Sequence, residues 1–97
     1  MKNNFNNKIY FVEMNKLINL LTSENIPFET RKSWDNTCQI LYPSIKNCIC
    51  DVVCHSGSYG SEQGLLEIMG LTSDEDVEGH LTAIEVFKRI KKNYIEN

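Results

Sequence analysis

Apolar residues along the chain follow two rhythms, one helical and one alternating. From Lys8 to Ser23, Phe11, Met14, Leu17, Ile18 and Leu21 recur every three or four positions and line one side of a helix. Asn25 followed by Pro27 supplies the stop, because proline cannot continue a helical ladder. Ile26–Trp34 and Thr37–Tyr42 alternate as two strands joined by a turn at Asp35–Asn36, with Cys38, Ile40 and Tyr42 on one face. Pro43–Asn47 turns the chain into a third strand, Cys48–His55. Leu65–Leu71 is short enough to be a buried strand or one and a half turns of helix, and the flanking Gly64 and Gly70 favour a fourth strand.

The last element carries the sharpest local signature. Thr82 as N-cap, Glu85 three residues on and the Leu81/Val86 staple start a helix at Ala83. Its apolar stripe is Ala83, Val86, Phe87, Ile90 and Tyr94, with Lys88, Arg89, Lys91 and Lys92 around the other side. Together these elements predict an α+β fold of two layers: a mainly antiparallel four-stranded meander with N- and C-terminal helices packed on it. Residues 8–97 form one domain, and the asparagine-rich stretch 1–7 is expected to be a flexible lead-in. Asp74, Glu75, Asp76 and Glu78 read as an exposed acidic loop that lacks the alternation and central glycine of a calcium loop.

Composition narrows the function classes. With 97 residues, 41% hydrophobic and 24% charged, the chain has the balance of a single globular domain. Neither end shows an apolar run long enough for a bilayer span or a signal peptide, so a cytoplasmic location is expected. A net charge of -3 argues against general nucleic-acid binding, which depends on Lys and Arg neutralising phosphates. Cys38, Cys48, Cys50 and Cys54 do not have zinc-knuckle spacing. In a strand Cys48, Cys50, Val52 and Cys54 share one face, which makes them buried free thiols. No metal and no cofactor is expected.

Candidate chemistry concentrates in the connection after the third strand, His55–Gly64, which is longer than a hairpin needs and carries Gly57, Gly60, Gly64 and three serines. Trp34 and Tyr59 offer rings for stacking a base, and Arg31 a fork for phosphate. Ser56, Ser58, Ser61 and the amides of Gly57 and Gly60 offer donors, while Gln39 and Asp51 can read polar edges. His55 ends a strand at the mouth of this loop and can present a donor or an acceptor. Asp51 and His55 are four residues apart on one strand face, roughly 13 Å, so they cannot form a triad pair. The loop has no nucleophile elbow, Walker lysine or dinucleotide fingerprint, which leaves His55 with Glu62 or Glu67 as the only acid/base pairing to consider.

The strings IPFE at Ile26–Glu29, Trp34, QILYP at Gln39–Pro43, CDVV at Cys50–Val53, SYG at Ser58–Gly60, LLEIMGL at Leu65–Leu71 and LTAIEVFKRI at Leu81–Ile90 cover most of the chain after Ile26. In them the chain resembles a family of small uncharacterised proteins common in phages and prophages of low-GC Gram-positive bacteria. Cys54 departs from that pattern, which has an acidic residue before the histidine. The resemblance implies a viral setting, where a protein of this size blunts host defence. The leading expectation is a non-catalytic, homo-oligomeric protein that sequesters a small cyclic nucleotide signal. The competing expectations are an inhibitor that covers a host defence protein, and a cyclic-nucleotide-cleaving enzyme built on His55.

Overall fold

The computed structural model describes the backbone from Asn4 to Asn97 and side chains from Lys8 onward. Of the expected lead-in at 1–7, positions 1–3 lie outside the described residues, and the rest falls in a helix that begins at Asn4. Helix α1 (Asn4–Ser23) precedes β1 (Glu29–Lys32), β2 (Cys38–Tyr42), β3 (Cys50–Val53), β4 (Leu66–Met69), β5 (Val77–Leu81) and α2 (Ala83–Glu96). The strands form one antiparallel sheet in the order β1-β2-β3-β4-β5. This is the expected α+β meander with two helices, widened by a fifth strand.

Helix α1 ends in a motif set by Asn25, which takes a left-handed φ of 56°. The Ile26 N–H donates to Leu21 and the Asn25 N–H to Thr22, closing the exposed carbonyls, while Ile26 and Leu21 both enter the core. Met14, Leu17 and Leu21 then meet Ala83, Val86 and Ile90 of α2 over one sheet face made by Ile40, Tyr42, Cys50, Val52, Leu66 and Ile68. The N-terminus of α2 carries the anticipated capping box between Thr82 and Glu85. It gains a second acceptor as well: Glu13 of α1 takes the Ala83 N–H at 2.7 Å and so fixes one helix against the other.

Several expectations need correction. The strand expected over Ile26–Trp34 shortens to Glu29–Lys32, because Ile26 turns into the core and Trp34 lies in a 3-10 turn with Asp35 and Asn36 at positive φ. Cys48 precedes β3 and is exposed, whereas Cys50 and Cys54 are buried as expected. Burial pushes the Cys50 thiol up to about 12 and Cys54 to about 11, which keeps both unreactive. Tyr94, assigned to the α2 stripe, is exposed.

Glu78, expected in a loop, lies in β5 and faces α2. Arg89 grips its two oxygens at 2.8 and 2.9 Å, donates also to the Leu71 carbonyl, and the Ser73 N–H completes the clasp. The Arg89 hydrogen bonds, then the Ser73 amide, lower the Glu78 carboxyl from 4.5 to about 2. Since the folded value lies below the unfolded one, the clasp contributes fully above about pH 4.5 and is lost as pH falls toward 2. Urea melts of Glu78→Gln should therefore depend less on pH across that window than those of the parent chain. Parallel curves would contradict the clasp. No helix among the described residues is long and apolar enough to cross a membrane.

Candidate functional site

Strand alternation sends a second set of side chains to the sheet face away from the helices. Arg31 lies opposite Gln39, Leu41 opposite Asp51, Asp51 opposite Met69, and Val53 opposite Glu67. Leu41 and Val53 are buried on this outer face, outside the main core cluster. The polar residues among them are linked: Arg31 Nε donates to Gln39 Oε1 at 2.8 Å, and Gln39 Nε2 donates to Asp51 Oδ2 at 2.8 Å. The half-buried Asp51 carboxylate thus has a partner, as burial requires. Nε takes the glutamine, and among the described residues no hydrogen bond uses the two Nη groups of Arg31.

The two loops at the Arg31 end of the sheet meet each other. Trp34, in the β1–β2 turn, stacks on His55 at the end of β3 with ring centroids 5.0 Å apart, and yet it is 68% exposed. Asp35 accepts the Ser56 N–H at 2.9 Å. That backbone bond, with the Ser56 side chain and nearby His55, holds the Asp35 carboxyl below its ordinary value. Gly57 tucks under the indole, so any added Cβ would press on the six-membered ring of Trp34. The Gly57 N–H donates to His55 Nδ1 at 3.1 Å, which assigns the proton of the neutral imidazole to Nε2.

The rest of the loop bends back over β4 and β5. The Tyr59 N–H donates to Glu67 at 2.8 Å, and the Tyr59 carbonyl accepts the His80 N–H at 3.2 Å. This close approach requires Gly79, since a Cβ there would fall on the Tyr59 backbone and Cβ. Gly60 takes φ 92° beside the His80 backbone, and a short 3-10 turn over Ser61–Gln63 follows. The result is a cleft of about 240 Å³ lined by Ser56–Gln63 and His80.

The expected site residues therefore fall into two adjoining groups. Ser56, Gly57, Ser58, Tyr59, Gly60 and Ser61 line the cleft, while Arg31, Gln39 and Asp51 form the linked row on the outer sheet face. Trp34 and His55 make the stack at the loop mouth, against Gly57. Some assigned donors are already committed. The Gly57 amide is bound to His55, and the Ser58 hydroxyl bridges the backbone N–H and carbonyl of the same residue from a buried position. Ser61 is buried too, while Tyr59 remains 60% exposed. Among the described residues no hydrogen bond joins His55 to Glu62 or Glu67, and Glu67 holds the Tyr59 amide instead.

Sequence reasoning missed Asp35, Gly79 and His80 as parts of this site. For Gly79 a signal existed, a glycine inside a strand marking close backbone approach. His80, two residues before the helix cap at Thr82, takes a left-handed φ of 61° that no residue pattern announces. No family model, no curated protein and no solved structure matches this chain.

Proposed function

We propose that this chain is a non-catalytic binding protein for a small nucleotide, held on the outer sheet face and in the adjoining loop cleft. The observation that carries the reading is the Trp34–His55 stack. A tryptophan braced on one side by an imidazole, and still 68% exposed, presents a rigid platform for a base. The outer sheet face offers the Nη groups of Arg31 for phosphate and the Gln39–Asp51 pair for polar edges, and the cleft offers hydroxyls and His80 for ribose or a second base. The loop spends most of its amides on itself, so side chains and ring faces supply recognition.

Sequestration without cleavage is favoured by how the titratable groups are used. His55 Nδ1 is taken by the Gly57 amide and Glu67 by the Tyr59 amide, so neither is poised against the other for acid/base work. In the viral setting that the sequence resemblance implies, the ligand is a cyclic nucleotide defence signal and the protein its sponge, assembled from more than one copy.

Calorimetry with a panel of cyclic mono- and dinucleotides tests the reading. Binding by the parent chain should weaken roughly tenfold or more in Trp34→Ala, the 1–3 kcal/mol that one base–aromatic stack contributes. The nucleotide should be recovered intact after the complex is denatured. Absence of heat with every member of the panel, or unchanged affinity in Trp34→Ala, would refute it.

A further inference from the structure

The two edges of the sheet differ. β5 is irregular: its pairing with β4 is bulged between Leu66 and Ile68, and His80 adopts a left-handed conformation while donating its amide to the Tyr59 loop. β1, at the other edge, is regular over Glu29–Lys32, pairs only with β2 and is exposed throughout. Which of its amides point outward follows from the hairpin. The Ser33 N–H donates to the Thr37 carbonyl, in the same register that sets Arg31 opposite Gln39 and Glu29 opposite Leu41. Antiparallel ladders alternate, so Ser33, Arg31 and Glu29 direct their backbone groups to β2, and Thr30 and Lys32 direct theirs outward.

We infer that β1 pairs with β1 of a second copy of this chain, antiparallel and centred on Thr30, joining two sheets into one across a two-fold axis. In that register the outward-pointing residues exchange hydrogen bonds, Thr30 with Thr30 and Phe28 with Lys32. Residues opposite one another share a face, which sets Glu29 of each copy against Arg31 of the other, two opposite-charge pairs on the outer face. The alternative centre, Arg31, would set two guanidinium groups against each other. The charges on β1 thus select one register and disfavour the neighbouring one.

The atoms needed are free to pair. Among the described residues Arg31 bonds through Nε alone, to Gln39, and Glu29 through Oε1 alone, which accepts the Ile45 N–H at 2.7 Å. A depression of about 320 Å³ beside this edge, lined by Phe11, Thr30, Lys32 and Cys38 among others, leaves room on the helix side for the second copy's strand to approach. The pairing shares Arg31 with the ligand reading, but its test is made without nucleotide and succeeds or fails whether or not a nucleotide binds.

Sedimentation equilibrium across the micromolar range should give twice the 11.2 kDa chain mass for the parent protein. Thr30→Pro removes an outward N–H that β2 does not use and should give the monomer mass with an unchanged circular dichroism spectrum. Arg31→Glu turns both attractive pairs repulsive and should weaken the dimer roughly tenfold, and the swap Glu29→Arg with Arg31→Glu should restore it. A parent chain that is monomeric throughout, or a dimer indifferent to both Thr30→Pro and the charge reversal, would overturn the inference. Should Thr30→Pro fail to fold, the reversal and its rescue decide the matter alone.

Discussion

Gly79→Val should detach the glycine-rich loop from the sheet and lower stability by about 2–4 kcal/mol, by overpacking and by loss of a hydrogen bond to a carboxylate. A Cβ at this position would land on the Cβ, carbonyl carbon and oxygen of Tyr59, and backbone atoms cannot step aside as a flexible side chain can. One partner has to move. β5 is held from the helix side by the Glu78–Arg89 clasp and by Leu81 in the core, so the loop yields. With it go the bonds from the Tyr59 amide to Glu67 and from the His80 amide to Tyr59. Amide exchange at Tyr59 and His80 should accelerate with the fall in the urea midpoint. Unchanged protection at both would mean that the loop is not docked through this contact.

Leu17→Ala should cost about 2–5 kcal/mol, a large part of the roughly 5–15 kcal/mol that holds a domain of this size together. Leu17 is fully buried within the cluster where both helices meet the sheet, so truncation leaves a cavity that neighbours on three elements must collapse to fill. Val12, half-exposed on the same helix, provides the contrast: Val12→Ala should change stability by no more than about 0.5 kcal/mol. The urea slope should stay constant in both variants, since the surface exposed on unfolding is nearly unchanged. Equal effects at the two positions would contradict the packing described.

Local signals carried the elements that they govern locally. The α1 stripe, the capping box at Thr82 and Glu85, and the core faces of β2 and β3 all follow from side-chain period and cap chemistry, and all are present. What stayed hidden depended on distant partners. β5 reads as an acidic loop because Glu78 sits in it and Gly79 breaks its alternation, and only Arg89 on α2 and Tyr59 on the loop explain both residues. Trp34 read as the end of a strand because an aromatic suits one, whereas the left-handed Asp35 and Asn36 fold it into a turn facing His55.

The acidic residues gained a common meaning that composition did not suggest. Glu13, Glu29, Asp35, Glu67 and Glu78 each accept a backbone amide from another segment of the chain. Each satisfies a donor that a loop or helix end would otherwise leave to water. Part of the negative charge therefore serves as a set of fasteners rather than as a surface for a partner. The same pattern explains why the loop after β3, longer than a hairpin needs, is held down at Ser56 and Tyr59.

The proposed receptor joins the braced tryptophan and the cleft beside it in one nucleotide site. Titrating the isotope-labelled protein with cyclic mono- and dinucleotides while following backbone amide and indole resonances tests this most directly. Saturable shifts should concentrate at the Trp34 indole, at residues 55–63 and at His80, and leave the α1 and α2 amides still. Shifts confined to the helices, or none with any nucleotide at millimolar concentration, would contradict it.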